Sequence, residues 1–375
     1  ILPDTPSGVS GSSKLTKITD GAVSFDGTSD SLKAIDSSDL AFGTGEFTVE
    51  MFFYANTVSG NDVLYDSRAA TGNPTDGFSI VRNGDQLRTY TSGAYQITPS
   101  NFRVGTKRWY HLAITRESTT QKMYIDGVLV GSATVSNDFS QPKATIGSDV
   151  NTSESWDGFI SNFRLIKGTA LYTANFTPPS APLTNVTNTK LLCCQSNTSA
   201  IAAAINPGTS AITSFSGFKD STTTNRTWDD SSSSSATSQA LGPDDIYWID
   251  LGSNITVTNV RFKVVSSASS NLSLTNFILR LSTSSSSLGT ETCASGCTAS
   301  AVNTVNSGSA PGEAIIELHD FSQSTRYLGI TNGSGSYSGT IIYSDVQVNL
   351  PIHPIGNVAA TNFNPFNTDI NTVRG

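Results

Sequence analysis

Charge is scarce in this chain: of 375 residues, 22 are Lys or Arg and 30 are Asp or Glu. The balance of −8 and the lack of any basic stripe exclude duplex nucleic acid as a partner, because displacing counterions from phosphates needs clustered cations. Histidine is limited to His111, His319 and His353, and no nucleophile motif, phosphate loop or dinucleotide fingerprint accompanies them. No apolar run approaches the roughly 20 residues of a bilayer span, so no membrane insertion is expected. The chain opens on Ile1 with no charged-then-apolar leader and reads as a fragment or processed product. Four cysteines fall in two close groups, Cys193-Cys194 and Cys293/Cys297, neither with the spacing of a zinc module. Cys293 and Cys297 suit either a tight disulfide or two small buried or loop residues.

Ser, Thr, Asn and Gly stand where charge is missing. These residues compete with the helix backbone and populate turns, so short strands are expected and helix is not. At roughly 100 to 200 residues per domain, two domains account for the length.

Period-two alternation marks the first half. In GEFTVEMFFYA, Phe47, Val49, Met51 and Phe53 share one face and Thr48 and Glu50 the other, the pattern of a half-buried strand. Asn83-Gly84 and Asp126-Gly127 each sit between apolar stretches and predict type I′ hairpin turns. WYHLAITRE sets Tyr110, Leu112 and Ile114 against Trp109, His111, Ala113 and Thr115. GFISNFRLIKG sets Phe159, Phe163 and Leu165 against Ile160 and Ile166. An antiparallel sandwich accommodates all of these strands.

The ordered run AVSFDGTSDSLKA, GEFTVEMFFYA, RWYHLAITRE, KMYIDGVLVG, ATIGSD and WDGFISNFRLIKGTALYTANFTPP resembles laminin-G/concanavalin-A-like jelly rolls across residues 21–194. Its closing part, ISNFRLIKGTALYTANFTPPSAPLT, is similar to jelly-roll modules in structural proteins of marine tailed phages. That likeness implies a virion-surface or extracellular setting.

A run of serines, Ser231 to Ser235, reads as a loop, and a second domain begins near Ala200. In YWIDLGSNITVTNVRFKVV, Ile255 and Val257 keep one register and Val260, Phe262 and Val264 the other, which predicts a bend at Thr258-Asn259. The segments GFKDSTTTNRTWDD, YWIDLGSNITVTNVRF and RYLGITN before IIYSDVQV resemble the discoidin, or galactose-binding-like, sandwich. The resemblance implies calcium, with Asp220, Thr227 and Asp345 at the matching positions, although the family usually has Glu where Asp345 stands. Solvated loop acids are the competing reading of Asp220 and Asp345, and Asp66 and Asp149 in the first domain are weaker calcium candidates. Beyond Leu350, prolines and asparagines without alternation read as a linker or arm. The expected layout is an N-terminal linker at 1–19, a jelly roll at 20–196, a galactose-binding-like sandwich at 197–350 and an arm at 351–375. The fold class is therefore all-β, two tandem antiparallel β-sandwiches with an extended C-terminal arm.

A jelly-roll glycosidase needs carboxylates facing one sugar bond, and the nearest pair, Glu46 and Glu50, lacks that spacing. His111 and Glu50 occupy strand positions that non-catalytic jelly-roll relatives fill in the same way, so no enzyme is expected. Loops at the ends of both sandwiches then carry function by binding. Tyr95, Trp156 and Trp228 are the aromatic candidates for stacking on a sugar ring, with core or rim packing as the competing role. The reading is a surface appendage or fibre component of a tailed phage that binds cell-surface glycans. Partners are glycans or other virion proteins, and homo-oligomers are allowed. The alternatives are an architectural virion subunit and a bacterial surface adhesin.

Overall fold

The structure is a computed structural model describing residues 21–208, 218–219, 236–237, 247–266, 277–283, 298–305, 312–319, 323–332 and 341–366. The expected N-terminal linker and the Cys293/Cys297 pair lie outside the described residues. Apart from a 3-10 turn at Ser38–Leu40, every described element is a strand.

Fourteen strands come first: β1 (Ala22–Asp26), β2 (Ser31–Ala34), β3 (Phe47–Ala55), β4 (Asn61–Asp66), β5 (Ser79–Asn83), β6 (Gln86–Thr91), β7 (Ala94–Ile97), β8 (Trp109–Glu117), β9 (Thr120–Ile125), β10 (Val128–Thr134), β11 (Thr145–Ile146), β12 (Asp157–Lys167), β13 (Thr189–Cys193) and β14 (Ala203–Ile205). Nine more follow: β15 (Phe218–Lys219), β16 (Ala236–Thr237), β17 (Tyr247–Val257), β18 (Val260–Ser266), β19 (Phe277–Ser282), β20 (Thr298–Val305), β21 (Gly312–His319), β22 (Gln323–Asn332) and β23 (Ile341–Val348). Two short strands close the chain, β24 (Ile352–Ile355) and β25 (Ala359–Thr361).

All strand pairings are antiparallel, and the first unit is a jelly roll. Its first sheet runs β10-β9-β8-β3-β12-β1-β25, with β13 also on β12 and β14 on β13. Its second sheet runs β24-β2-β11-β4-β5-β6-β7. Between them lies one apolar core that includes Phe47, Val49, Met51, Phe53, Leu112, Ile114, Phe78, Ile80 and Trp156. The second unit contributes two further sheets, β15-β17-β22-β19 and β16-β23-β18-β21-β20.

Several expectations change on inspection of the strands. β3 is buried on both faces, since Thr48, Glu50 and Phe52 are as enclosed as their alternates. Phe52 is covered by Phe366, and Thr48 and Glu50 by a strap, residues 168–186, laid over the outer face of the first sheet. It is tied by Leu171 N donating to Thr48 Oγ1 at 2.8 Å, Thr115 Oγ1 to Tyr172 O at 3.0 Å and Arg164 Nη1 to Thr184 O at 2.6 Å. In β12 the pairing with β3 shifts between Ser161 and Arg164, where Asn162 takes φ +54°. This bulge puts Ile160, Phe163 and Leu165 together in the core and leaves Phe159 on the outer face, against the alternation first read.

The turn at Asp126-Gly127 has φ +48° and +76° and fits type I′. The β5–β6 turn does not, because the register centres it on Gly84-Asp85 and Gly84 alone is left-handed. At Thr258-Asn259 the chain passes from β17 in one sheet to β18 in the other, the place where a bend was expected.

Residues 351–366, part of the segment read as an arm, instead return to the jelly roll. β24 pairs with β2, Lys33 opposite His353, and β25 pairs with β1, Val23 opposite Ala360. Asn259 fixes the return by accepting from Leu350 N at 2.9 Å and donating to Leu350 O at 3.2 Å. Each closing strand lies at a sheet edge, where Pro354 costs no ladder bond to a further neighbour. The strands of the second unit are thus inserted in sequence between β14 and β24.

Candidate functional site

Two places gather polar chemistry, and the first is sealed. Under the strap, Glu50 accepts from Arg164 Nε at 2.8 Å and Nη2 at 2.6 Å and from Tyr172 Oη at 2.9 Å, with His111 Nε2 at 3.2 Å. Burial alone raises a carboxyl's pKa, yet the hydrogen bond to His111 and the charge of Arg164 outweigh it and hold Glu50 below the ordinary carboxylate range. Neither Glu50 nor His111 exposes side chain to solvent, and Glu46 lies outside on the surface. No substrate bond reaches this network. It fastens the strap to the sheet.

The second place is a cavity of about 320 Å³ on the outer face of the second sheet. Ser79 and Val81 of β5, Tyr90 of β6 and Tyr95 of β7 form its floor, and two loops wall it with Arg68, Thr71, Asp149, Ser153 and Glu154. The floor follows from the β6–β7 hairpin. Ser92 and Gly93 take φ +54° and +76°, a two-residue turn that sets Tyr90 directly opposite Tyr95. Their rings meet edge to face at 5.5 Å. The Arg88 guanidinium lies over Tyr95 at 4.4 Å and that of Arg68 over Tyr90 at 5.2 Å.

The walls are held by their own hydrogen bonds. Arg68 grips Asp66 through Nε and Nη2 at 2.9 and 2.8 Å, and Asp66 also accepts from Val150 N at 3.1 Å. Asp149 closes its loop by accepting from Ser153 N at 2.5 Å, Ser153 Oγ at 2.8 Å and Glu154 N at 3.0 Å. Asn151 donates to Thr71 Oγ1 at 3.1 Å and ties one loop to the other. Ser79 Oγ, fully buried at the floor, has no hydrogen-bond partner. An aromatic platform walled by polar side chains suits a polyhydroxylated ring, which offers an apolar face for the one and hydroxyls for the others.

A larger cavity of about 510 Å³ runs along β2 and β24 to Thr258 and Asn259, with Lys33, Asp36 and Lys143 on its walls. Among the described residues it is lined by no Phe, Tyr or Trp, and Lys143 is paired with Asp36 at 3.0 Å.

Of the residues singled out from sequence, Tyr95 is 40% exposed and lines the tyrosine cavity. Trp156 is a correction. At 0% exposure it stands in the core edge-to-face with Phe53 at 5.8 Å and beneath Arg82 at 5.6 Å, so it stacks on no sugar. Asp66 and Asp149 are consumed by the loop contacts just described, and the described residues contain no cluster of three or more metal-ligating side chains. Asp220, Thr227 and Trp228 lie outside the described residues, and Asp345 lies in β23 with its side chain outside them. Sequence reasoning missed Tyr90, Ser79 and Glu154. Ser92-Gly93 in RTYTSGAYQ was the available signal, since a two-residue turn there pairs the two tyrosines.

Residues 26–172 match the family model described as the concanavalin A-like lectin/glucanases superfamily, Laminin_G_3. The match covers under half of the chain, and the two sheets define the fold of this unit as an antiparallel jelly roll. Similar solved structures include the native heptameric SAP-like pentraxin from Limulus polyphemus, 17% identical over 42% of this chain and 79% of that one, with a TM-score of 0.34. A putative carbohydrate binding protein from Bacteroides ovatus is 14% identical over 46% and 51%, TM-score 0.35. Domain 4 of AbnA, a GH43 extracellular arabinanase from Geobacillus stearothermophilus, solved with arabinotriose, is 16% identical over 40% and 82%, TM-score 0.31. No curated protein matches the sequence. Among the described residues no helix is long and apolar enough to cross a membrane.

Proposed function

We propose that this chain is a non-enzymatic glycan-binding component of a virion surface appendage or fibre of a tailed phage, with the tyrosine cavity as its sugar site. The observation that carries the reading is Tyr95, an exposed ring paired with Tyr90 over a buried, unpartnered Ser79 hydroxyl. The Laminin_G_3 match supports a lectin-like role for this unit, and the likeness of the strap sequence to marine phage modules supports the virion setting. A non-catalytic role is supported by Glu50 and His111, which are sealed beneath the strap. Calcium remains assigned to Asp220, Thr227 and Asp345 on the resemblance of the second unit to galactose-binding-like sandwiches.

The test is binding of the full chain to an array of microbial surface polysaccharides, with and without a chelator, beside the Tyr95→Ala variant. The expected result is selective binding that falls about tenfold or more in the variant, as loss of roughly 1.4 kcal/mol of stacking implies. Polysaccharides incubated with the chain are expected to keep their length, although Asp149 and Glu154 share the cavity. Chelation weakens binding only where the second unit takes part. Binding that is undiminished by Tyr95→Ala, or shortened polysaccharide, contradicts the proposal.

A further inference from the structure

The charge around the tyrosine cavity is unbalanced, and the imbalance falls on one residue. Two guanidiniums, Arg68 and Arg88, stand among three carboxylates, Asp66, Asp149 and Glu154. Arg68 is engaged by Asp66 in a two-point ion pair, and Arg88 is spent on the Tyr95 ring and on Gln86 Oε1. Asp149 has both oxygens occupied by donors of its own loop. Glu154 is the carboxylate left over. Among the described residues no Lys or Arg forms an ion pair with it, and Asn61 shares the cavity wall with it. Burial and the negative charge of Asp149 accordingly push its carboxyl up from the usual range, against the weaker pull of Arg68.

A partly enclosed carboxylate outside any ion pair, beside an aromatic platform, selects its ligand by charge. Resting on the glycan-binding reading of this site, we infer that the cavity prefers a hexose bearing a free ammonium group, with Glu154 as its counter-ion, and rejects a hexose bearing a carboxylate. The sugar ring lies on Tyr95 and the ammonium meets Glu154. A neutral hexose keeps the stacking contact and binds between the extremes. A uronic acid brings a second negative charge against Glu154 and Asp149.

The experiment is an NMR titration of the full chain at low ionic strength with methyl glycosides of the 2-amino, neutral and uronic acid forms, in both gluco and galacto series. It uses the unaltered chain, Glu154→Gln and Tyr95→Ala. The amino sugar is expected to bind about fivefold tighter than the neutral one, the scale of a partly exposed ion pair, and the uronic acid weakest. Glu154→Gln, which keeps the size of the side chain and removes its charge, removes the ranking and retains the neutral sugar. Tyr95→Ala weakens all three alike. A uronic acid that binds as tightly as the amino sugar, or a ranking unchanged by Glu154→Gln, overturns the charge preference while leaving the sugar site standing. If no form binds in either series, the glycan-binding reading falls, and the inference with it.

Discussion

Glu50 carries a full charge in a place that water does not reach, and it does so because Arg164, His111 and Tyr172 surround it. Removing one partner of a buried pair leaves the other stranded, at a cost of about 3–5 kcal/mol. Glu50→Gln is therefore expected to lose about 3 kcal/mol in urea melts, with Arg164 left uncompensated. The pH dependence has a definite sign. A folded-state pKa held below the ordinary 4.5 contributes stability that is fully present above that value and is lost as pH falls through the depressed one. Melts in an acid series should show this loss in the unaltered chain and a shallower one in Glu50→Gln; matching slopes would reject the account. At Trp156, truncation to Ala should cost about 3–5 kcal/mol, whereas Tyr95→Ala should stay within about 0.5 kcal/mol. Both rings follow turn-rich loops, and their difference was not legible in sequence. Trp156 is drawn inward by backbone bonds from its own N to Gly147 O at 2.8 Å and from Gly27 N to its O at 3.1 Å, partners far apart in the chain.

At the scale of elements, alternation located the strands, and Phe47, Val49, Met51 and Phe53 face the core as their spacing requires. It went wrong where a single residue changes register. Asn162 holds the β12 bulge by donating to Ser161 Oγ at 2.8 Å and accepting from Leu183 N at 2.8 Å and Gln195 Nε2 at 2.7 Å. No local pattern announces that set, since the two groups that donate to Asn162 lie in the strap's end and beyond β13. Asn162→Ala should cost about 2–4 kcal/mol, by stranding buried donors and placing Ala at a positive φ. Asn162→Gly should cost less because the backbone is relieved; equal losses in urea melts would show that φ plays no part. The tyrosine pair was legible in principle, because Ser92-Gly93 is a turn signal, but a hairpin whose second strand, Ala94–Ile97, is so short is easily passed over.

For the whole molecule, the decisive feature is the return of the chain after the second unit. β24 and β25 cover the outer edges of β2 and β1, and Phe363 packs with Tyr54, Trp109 and Phe159 while Phe366 meets Phe52. A chain ending at Leu350 should melt at lower temperature and self-associate, since two strand edges and an aromatic patch are uncovered. Thermal melting with sedimentation velocity checks this, and an unchanged monomer would contradict it. Prolines and asparagines made the segment look like an arm because edge strands tolerate proline and need no alternation. The jelly roll itself was legible from six ordered motifs, whereas its closure depends on contacts spanning more than three hundred residues, such as Asn357 N donating to Asp30 at 2.6 Å.

The most direct measurement for the sugar site is NMR of the full chain with isotope-labelled tyrosine rings, titrated with the polysaccharide fragment that binds best on the array. The account predicts that, of the 11 tyrosines, Tyr90 and Tyr95 shift first and furthest, each assigned by its Phe variant. Shifts confined to other rings, with Tyr90 and Tyr95 unmoved at saturation, would contradict it and place the ligand elsewhere on the molecule.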